Sequence, residues 1–193
     1  MIRQKEFWQK IFDITKNENI KIINAGLAGP ADILEAQLQP ILWYCLRDEG
    51  IVSVVETSFD PQNIRKKLDM IFECKGEHYI IEIKRNGLGL ENYGKTYTDS
   101  IDVFPKDFIK LNDAQNLMKG RYNIINKIFL VIQYFEKRSE KYITHRTKFL
   151  DLIKRQSAEW ANGSLFEFGG QADTIFSSKK GHICLAMRIL IAN

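Results

Sequence analysis

A hairpin of two short apolar runs places the strongest constraint on how this chain of 193 residues can fold. The runs occupy residues 68–75 and 79–85, and a short polar turn separates them. Two runs of this length joined by so short a turn are typical of neighbouring antiparallel strands, so the segment predicts two strands of a β-sheet. Asp69, Glu82 and Lys84 nevertheless lie within the runs. Burying charged side chains is costly unless they are paired, so these three positions need a separate explanation.

The alternation of side chains along a strand predicts that the three charges converge. Glu82 and Lys84 should share one face of the second strand, while Ile81 and Ile83 share the other face. In a tight hairpin, Asp69 on the first strand should lie beside the end of the second strand that carries Glu82. The spacing therefore predicts two carboxylates and one ammonium group at one end of one hairpin.

Periodicity along the rest of the chain predicts an α/β fold with a mixed β-sheet flanked by helices. Helices are predicted at 2–16, 31–50, 106–120 and 146–160, and strands at 51–59, 68–75, 79–85, 126–135, 165–168 and 182–190. Pro40 predicts a kink or break in the second helix. The first three strands should form a meander. A fourth strand, reached through a helical crossover, should lie parallel to a core strand.

We expect one domain over residues 1–193, because this length is ordinary for a single folded unit. Its core should occupy 31–135, with a helix at 2–16 before it and a helix and strands at 147–193 after it. These flanking segments are predicted to be additions to the core.

Composition and the length of the apolar runs indicate a globular protein and argue against a membrane-spanning one. Hydrophobic residues form 45% of the chain and charged residues 27%, which is ordinary for a globular protein with a buried core. The net charge of +4 permits a polyanionic partner without requiring one. The three cysteines are widely spaced in apolar runs, which is typical of buried thiols in a reducing compartment. The apolar runs are too short to span a bilayer and the N-terminus has no apolar leader, so we expect a cytoplasmic protein without a membrane partner.

Two converging carboxylates are the ligands that a hard divalent cation prefers. Mg²⁺ takes oxygen ligands at about 2.1 Å, commonly one or two carboxylates together with waters and a substrate phosphate. Asp69 and Glu82 are therefore predicted to bind Mg²⁺, or Mn²⁺ as its substitute, and the backbone carbonyl of Ile83 to add a third ligand. Lys84 is predicted to hold the attacking water and to balance the charge that develops on a phosphate. Glu35 shares a helix face with apolar residues, so it is predicted to be a further catalytic or metal-binding acid.

These residues carry a resemblance to a known family. Asp69, followed by a hairpin and by Glu82-Ile83-Lys84 after an apolar triplet, resembles the motif of the PD-(D/E)xK nuclease superfamily, although Leu68 stands where the family has proline. The predicted element order over 31–135 is similar to the restriction-endonuclease-like core of that family. Glu35 resembles the helix-borne acid of many members, including restriction enzymes and Holliday-junction resolvases. The resemblance implies Mg²⁺-dependent hydrolysis of DNA phosphodiester bonds, with a role in restriction, repair or defence.

Partners follow from this interpretation. Lys66, Lys67 and Arg85 flank the predicted site and are predicted to contact DNA phosphates. Because one site cuts one strand, duplex cleavage predicts a homodimer or a subunit of a larger nuclease assembly. The basic and aromatic segment 136–148 has the composition of either a nucleic-acid surface or a polar loop.

Several alternatives remain open from the sequence alone. Asp60 with Glu73 and Lys75 has the same spacing as the favoured set, although the segment after Asp60 makes a poor strand. Glu82 and Lys84 would also suit a solvated strand face. At the level of function, the alternatives are a catalytically idle DNA-binding or scaffold subunit with the same fold, and a ribonuclease. Gln115 is interpreted as a surface amide, and the three histidines as structural.

Overall fold

One mixed sheet of six strands, flanked by helices, organises the protein in a computed structural model. The structure describes residues 1–28, 38–63, 65–88, 104–122, 124–138, 140–179 and 181–193. The strands are β1 (Ser53–Ser58), β2 (Lys67–Cys74), β3 (Glu77–Leu88), β4 (Ile125–Glu136), β5 (Ser164–Ser178) and β6 (Gly181–Ala192). The helices are α1 (Lys5–Asn24), α2 (Leu38–Asp48), α3 (Phe104–Met118), α4 (Glu140–Arg155) and α5 (Ala158–Ala161). The strand order is β1-β2-β3-β4-β6-β5.

The predicted meander and crossover are confirmed. β1, β2 and β3 pair antiparallel in sequence order, and β4 lies parallel to β3 after the α3 crossover. β6 then pairs antiparallel with β4, and β5 forms the far edge against β6. The segment predicted as an addition at 147–193 therefore completes the same sheet. Almost every residue of β6 is buried, because this strand lies between two others under helices on both sides.

The two faces of the sheet carry separate apolar clusters. Ile81 and Ile83 of β3 pack on the face covered by α1 and α2, whereas Ile80 packs on the face covered by α3, α4 and α5. Phe108 and Trp160 anchor the second face, with ring centroids 4.6 Å apart. The predicted alternation along β3 is therefore confirmed. It directs Glu82 and Lys84 towards α3.

The first helix extends well beyond its predicted end. α1 continues to Asn24 because its buried stripe continues through Thr15, Asn19 and Ile23 at helical spacing. Burial of the polar Asn19 side chain is tolerated because its amide donates to the Tyr134 hydroxyl at 2.9 Å. Polar residues on a buried stripe conceal it from a hydropathy pattern, which explains the short prediction.

The segment 136–148 is mostly helix and not a loop. α4 begins at Glu140, and its buried stripe is His145, Phe149 and Ile153. The first member of the stripe is a histidine, so the sequence around it has the composition of a polar loop. No helix in the described part of the chain is both long enough and apolar enough to cross a membrane.

Candidate functional site

Asp69 lies on β2 beside the polar end of β3. Met70 pairs with Ile81, so the next step of the same antiparallel register places Asp69 opposite Glu82. The backbone N–H of Ile83 donates to Asp69 Oδ2 at 2.6 Å. Burial, followed by the nearby charge of Glu82, raises the pKa of Asp69 from 3.8 to about 6, against the opposing effects of the Ile83 hydrogen bond and two lysines. The structure therefore brings the two predicted carboxylates together.

Glu82 is a buried carboxylate held by two lysines from different elements. Its side chain is 2% exposed. Lys84 Nζ donates to Oε1 at 2.8 Å, and Lys110 Nζ, from α3, donates to Oε2 at 2.5 Å. A carboxylate is tolerated at this depth because each oxygen has a charged donor. Glu82 and Lys84 lie close together, as their shared strand face predicted, and Lys110 is an addition that sequence reasoning missed.

Asp107 is a second residue of α3 in this cluster. Its Oδ1 lies 3.5 Å from Lys84 Nζ. Burial raises the pKa of Asp107, Lys84 lowers it and Glu82 raises it. Asp107 Oδ2 is buried and accepts no hydrogen bond within the described structure. Asp107 lies one turn from both Phe104 and Leu111 on the buried stripe of α3, so a charge on an apolar stripe was the signal that could have revealed it.

We define the site cluster as Asp69, Glu82, Lys84, Asp107 and Lys110. β2, β3 and α3 each contribute to it, and three acids face two lysines. The cluster lies on the side of the sheet that α3 covers. The arrangement concentrates carboxylate oxygens and ammonium groups in a partly buried setting, where electrostatic interactions are stronger than in water.

Other predicted residues lie elsewhere or outside the described residues. Glu35, and the residues that would show a kink before Pro40, belong to the segment 29–37 that the structure does not describe. The Ile83 side chain packs in the apolar cluster of the opposite face, while its N–H serves Asp69. Whether its carbonyl binds a metal stays a prediction.

The three residues predicted to contact phosphate do not lie together. Lys66 Nζ lies 3.5 Å from an Asp60 oxygen, and Lys67 Nζ lies 3.8 Å from a Glu56 oxygen, both close to the start of β2. The Arg85 guanidinium lies 5.1 Å from the ring centroid of Tyr134, which belongs to the apolar cluster on the α1 face. Arg85 therefore does not join the cluster, since alternation along β3 directs it to the other face.

The rival motif is not assembled. Asp60 precedes β2 and pairs with Lys66, whereas Glu73 lies near the other end of β2 and accepts from the backbone N–H of Gly76 in the turn. A strand rises about 3.4 Å per residue, so these two acids lie roughly 20 Å apart. The alternative set is therefore wrong.

Gln115 is not a surface amide. It is buried, donates to the carbonyl of Ile125 at 2.7 Å and accepts from Lys127 Nζ at 3.1 Å. These bonds join α3 to β4, away from the site cluster. The interpretation of Gln115 as exposed was wrong because its partner, Lys127, is itself a buried charged residue on a strand.

A second buried polar network continues from β3. Asn86 and Gln133 contact Nε2 and Nδ1 of His145, each at 2.7 Å. Arg188 donates to Gln133 and to Glu167, which links the network to β5. Burial, followed by the charge of Arg188, lowers the pKa of His145 to about 4, so the ring is neutral at neutral pH. The network joins four strands and α4 beside the site cluster.

The donor set fits a divalent cation of the Mg²⁺ type. Asp69 and Glu82 offer hard oxygens from adjacent strands, and buried Asp107 Oδ2 lacks a hydrogen-bond donor among the described residues. The described residues contain no group of three or more His, Cys, Asp or Glu side chains arranged for a metal. Mg²⁺ does not require such a cage, because one or two carboxylates with water and phosphate complete its shell. Comparisons with protein-family models, with curated proteins and with solved structures found no match for this chain.

Proposed function

We propose that this chain is a Mg²⁺-dependent nuclease with a restriction-endonuclease-like core, and that it hydrolyses phosphodiester bonds of DNA. The observation that supports this proposal most is the juxtaposition of Asp69 with the Glu82–Lys84 pair at one end of the β2–β3 hairpin. Acids from two strands can hold a cation for metal-assisted phosphodiester hydrolysis, and a lysine beside them can balance the charge that develops on the phosphate. A role in restriction, repair or defence is part of the proposal.

The order of the elements supports the same proposal. Helix, three antiparallel strands, helix and parallel strand follow one another as α2, β1 to β3, α3 and β4. This is the order that the PD-(D/E)xK resemblance implies. The motif residues lie on the two strands where that resemblance expects them, which an accidental Glu-x-Lys tripeptide would not require.

The chain's own residues have distinct roles in this mechanism. A bound Mg²⁺ would polarise the scissile phosphate and lower the pKa of a water. Asp69 and Glu82 would hold the cation, and the Ile83 N–H orients the Asp69 carboxylate through its 2.6 Å hydrogen bond. Lys84 would hold the attacking water and stabilise the negative charge that grows on the phosphate oxygens. Mn²⁺ should replace Mg²⁺, because both prefer oxygen ligands.

One site cleaves one strand, so cleavage of both strands requires a second site. We propose a homodimer, or a subunit of a larger nuclease assembly, acting in the cytoplasm. Lys66 and Lys67, which are largely exposed near the start of β2, would contact backbone phosphates of the DNA.

A plasmid assay tests the proposal. Supercoiled DNA is incubated with the protein and Mg²⁺, and nicked and linear products are measured for wild type, Glu82→Gln and Lys84→Ala. Each substitution should lower the rate by at least about 100-fold, the effect of removing one group that stabilises transition-state charge. Glu73→Gln and Lys75→Ala are matched controls in the same hairpin, exposed and at its turn. Thermal unfolding of each variant checks that it is folded.

Cleavage at the wild-type rate by the Glu82 and Lys84 variants would contradict the proposal. RNA and DNA strands of the same sequence, compared under one metal condition, distinguish a ribonuclease from a deoxyribonuclease.

One observation favours a second candidate function. Both Glu82 oxygens already accept from lysines, so this carboxylate is neutralised without any metal. A catalytically idle DNA-binding or scaffold subunit could have the same lysine-paired carboxylate and would need no metal ion. Such a protein would bind duplex DNA in a salt-sensitive manner, equally well in EDTA and in Mg²⁺. Calorimetric titration with Mn²⁺ separates the two functions, since the nuclease should bind the ion and lose this binding in Asp69→Asn.

A further inference from the structure

The two lysines on Glu82 have unequal surroundings. Lys84 Nζ lies between two acids, 2.8 Å from Glu82 Oε1 and 3.5 Å from Asp107 Oδ1. Lys110 Nζ contacts Glu82 Oε2 at 2.5 Å, and within the described residues this is its single ion-pair and hydrogen-bond partner. Lys84 is therefore held more firmly by acids than Lys110.

An ammonium group has three N–H donors. Lys110 uses one of them on Glu82, and no other described residue takes the remaining two, so these are left for a ligand without breaking that ion pair. The Lys110 side chain is 27% exposed, whereas Glu82 is 2% exposed. Lys110 therefore lies at the border of the buried cluster, as does Lys84, whose side chain is 23% exposed but whose ammonium is held between two acids.

We propose that Lys110 is a substrate-binding residue of the site, donating hydrogen bonds to the non-bridging oxygens of a backbone phosphate. In this arrangement Lys84 stays in place between Glu82 and Asp107 and serves the water, while Lys110 binds the phosphate. Asp107 acts as a positioning residue, because its Oδ1 holds Lys84. The inference rests on the proposed function and adds α3 to the elements that contact substrate.

The position of Lys110 on α3 supports this role. Phe108 and Leu111 of the same helix are buried against the sheet, which orients the helix and limits how far Lys110 can move. The lysine stem is flexible enough to follow a phosphate, and its compact charge suits one phosphate oxygen at a time. A side chain with a fixed backbone position and a mobile ammonium group is suited to a contact that forms when substrate binds.

Duplex binding and cleavage together test the inference. Affinity of wild type, Lys110→Ala, Lys110→Gln, Lys110→Arg and Lys119→Ala for a short duplex is measured in EDTA over a series of salt concentrations. Loss of one phosphate contact should reduce the slope of log affinity against log salt by about 0.9 in the Ala and Gln variants. Lys110→Arg should retain the slope. Lys119, exposed near the far end of α3 and bonded to Asn116, is the control and should not change it.

Cleavage in Mg²⁺ provides the second measurement. We expect kcat/KM to fall by about 10- to 100-fold in Lys110→Ala and Lys110→Gln, with most of it restored in Lys110→Arg. A purely structural role for Lys110 would lower the unfolding temperature but leave the salt slope at its wild-type value. Lys110→Gln keeps part of the stem and a donor for Glu82, so it answers the question even if the alanine variant does not fold.

The outcomes separate this inference from the proposed function. If wild type cleaves DNA while Lys110→Gln keeps the wild-type salt slope and the wild-type kcat/KM, the role of Lys110 is overturned. The nuclease proposal is then intact. Metal-independent binding without any wild-type cleavage would overturn the nuclease, while a reduced slope in Lys110→Gln would still support the phosphate contact. Absence of duplex binding by wild type would overturn both.

Discussion

Replacing Asp69 with asparagine is expected to stabilise the metal-free protein at neutral pH and to abolish metal-dependent cleavage. Burial and the charge of Glu82 raise the pKa of Asp69 from 3.8 to about 6, so the folded state disfavours the ionised carboxylate. A difference of about two pKa units corresponds to roughly 3 kcal/mol. Because Asp69 is only partly buried and solvent screens its charge, we expect a gain of about 1–2 kcal/mol. The asparagine carbonyl can still accept from the Ile83 N–H, so this hydrogen bond is retained.

The pH dependence of stability determines where Asp69→Asn is more stable than wild type. Between pH 3.8 and about 6 the folded protein holds a proton on Asp69 that the unfolded chain has released. This contribution to stability is fully present below pH 3.8 and is lost as the pH rises through about 6. The advantage of Asp69→Asn over wild type should therefore be absent in acid, grow across this window and level off near neutrality.

Urea denaturation in EDTA at several pH values measures the free energy of unfolding for both proteins. Asp113→Asn serves as the control, because this acid of α3 is exposed. Addition of Mg²⁺ should raise the unfolding temperature of wild type more than that of Asp69→Asn, since ligand binding stabilises the folded state that binds it. A variant no more stable than wild type at neutral pH would refute the reasoning on burial. Equal stabilisation by Mg²⁺ would refute the assignment of Asp69 as a ligand.

Two further predictions concern the scaffold. Gly169→Ala should destabilise the fold by about 2 kcal/mol or more, because φ is +71° and a Cβ would lie 2.6 Å from the Phe12 ring. Gly120→Ala, with nothing within 4 Å, should be nearly neutral in the same denaturation assay, and equal effects would contradict this. The pKa of His145 is lowered from 6.5 to about 4, so NMR should find its ring neutral at pH 6. A titration of that ring near pH 6.5 would contradict the burial of the network with Gln133.

The core of the site was predictable because it is local. Asp69, Glu82 and Lys84 lie on one hairpin, and a short turn with the two-residue period of strands determines which of them meet. The same period places Arg85 on the opposite face of β3, so its assignment beside the site overlooked a local rule. The meander and the parallel fourth strand followed from element order in the same way.

The sequence by itself determined the elements that depend on near neighbours, which are the hairpin, its facing charges and the order of strands and helices. Only the tertiary structure decided which distant residues complete the cluster. Asp107 and Lys110 reach Lys84 and Glu82 because α3 packs on one face of β3. The buried network of His145, Gln133 and Arg188 depends likewise on which strands become neighbours. The physical reason is that periodicity sets the direction of a side chain on its own element, whereas the partner it meets depends on how whole elements bury their apolar faces.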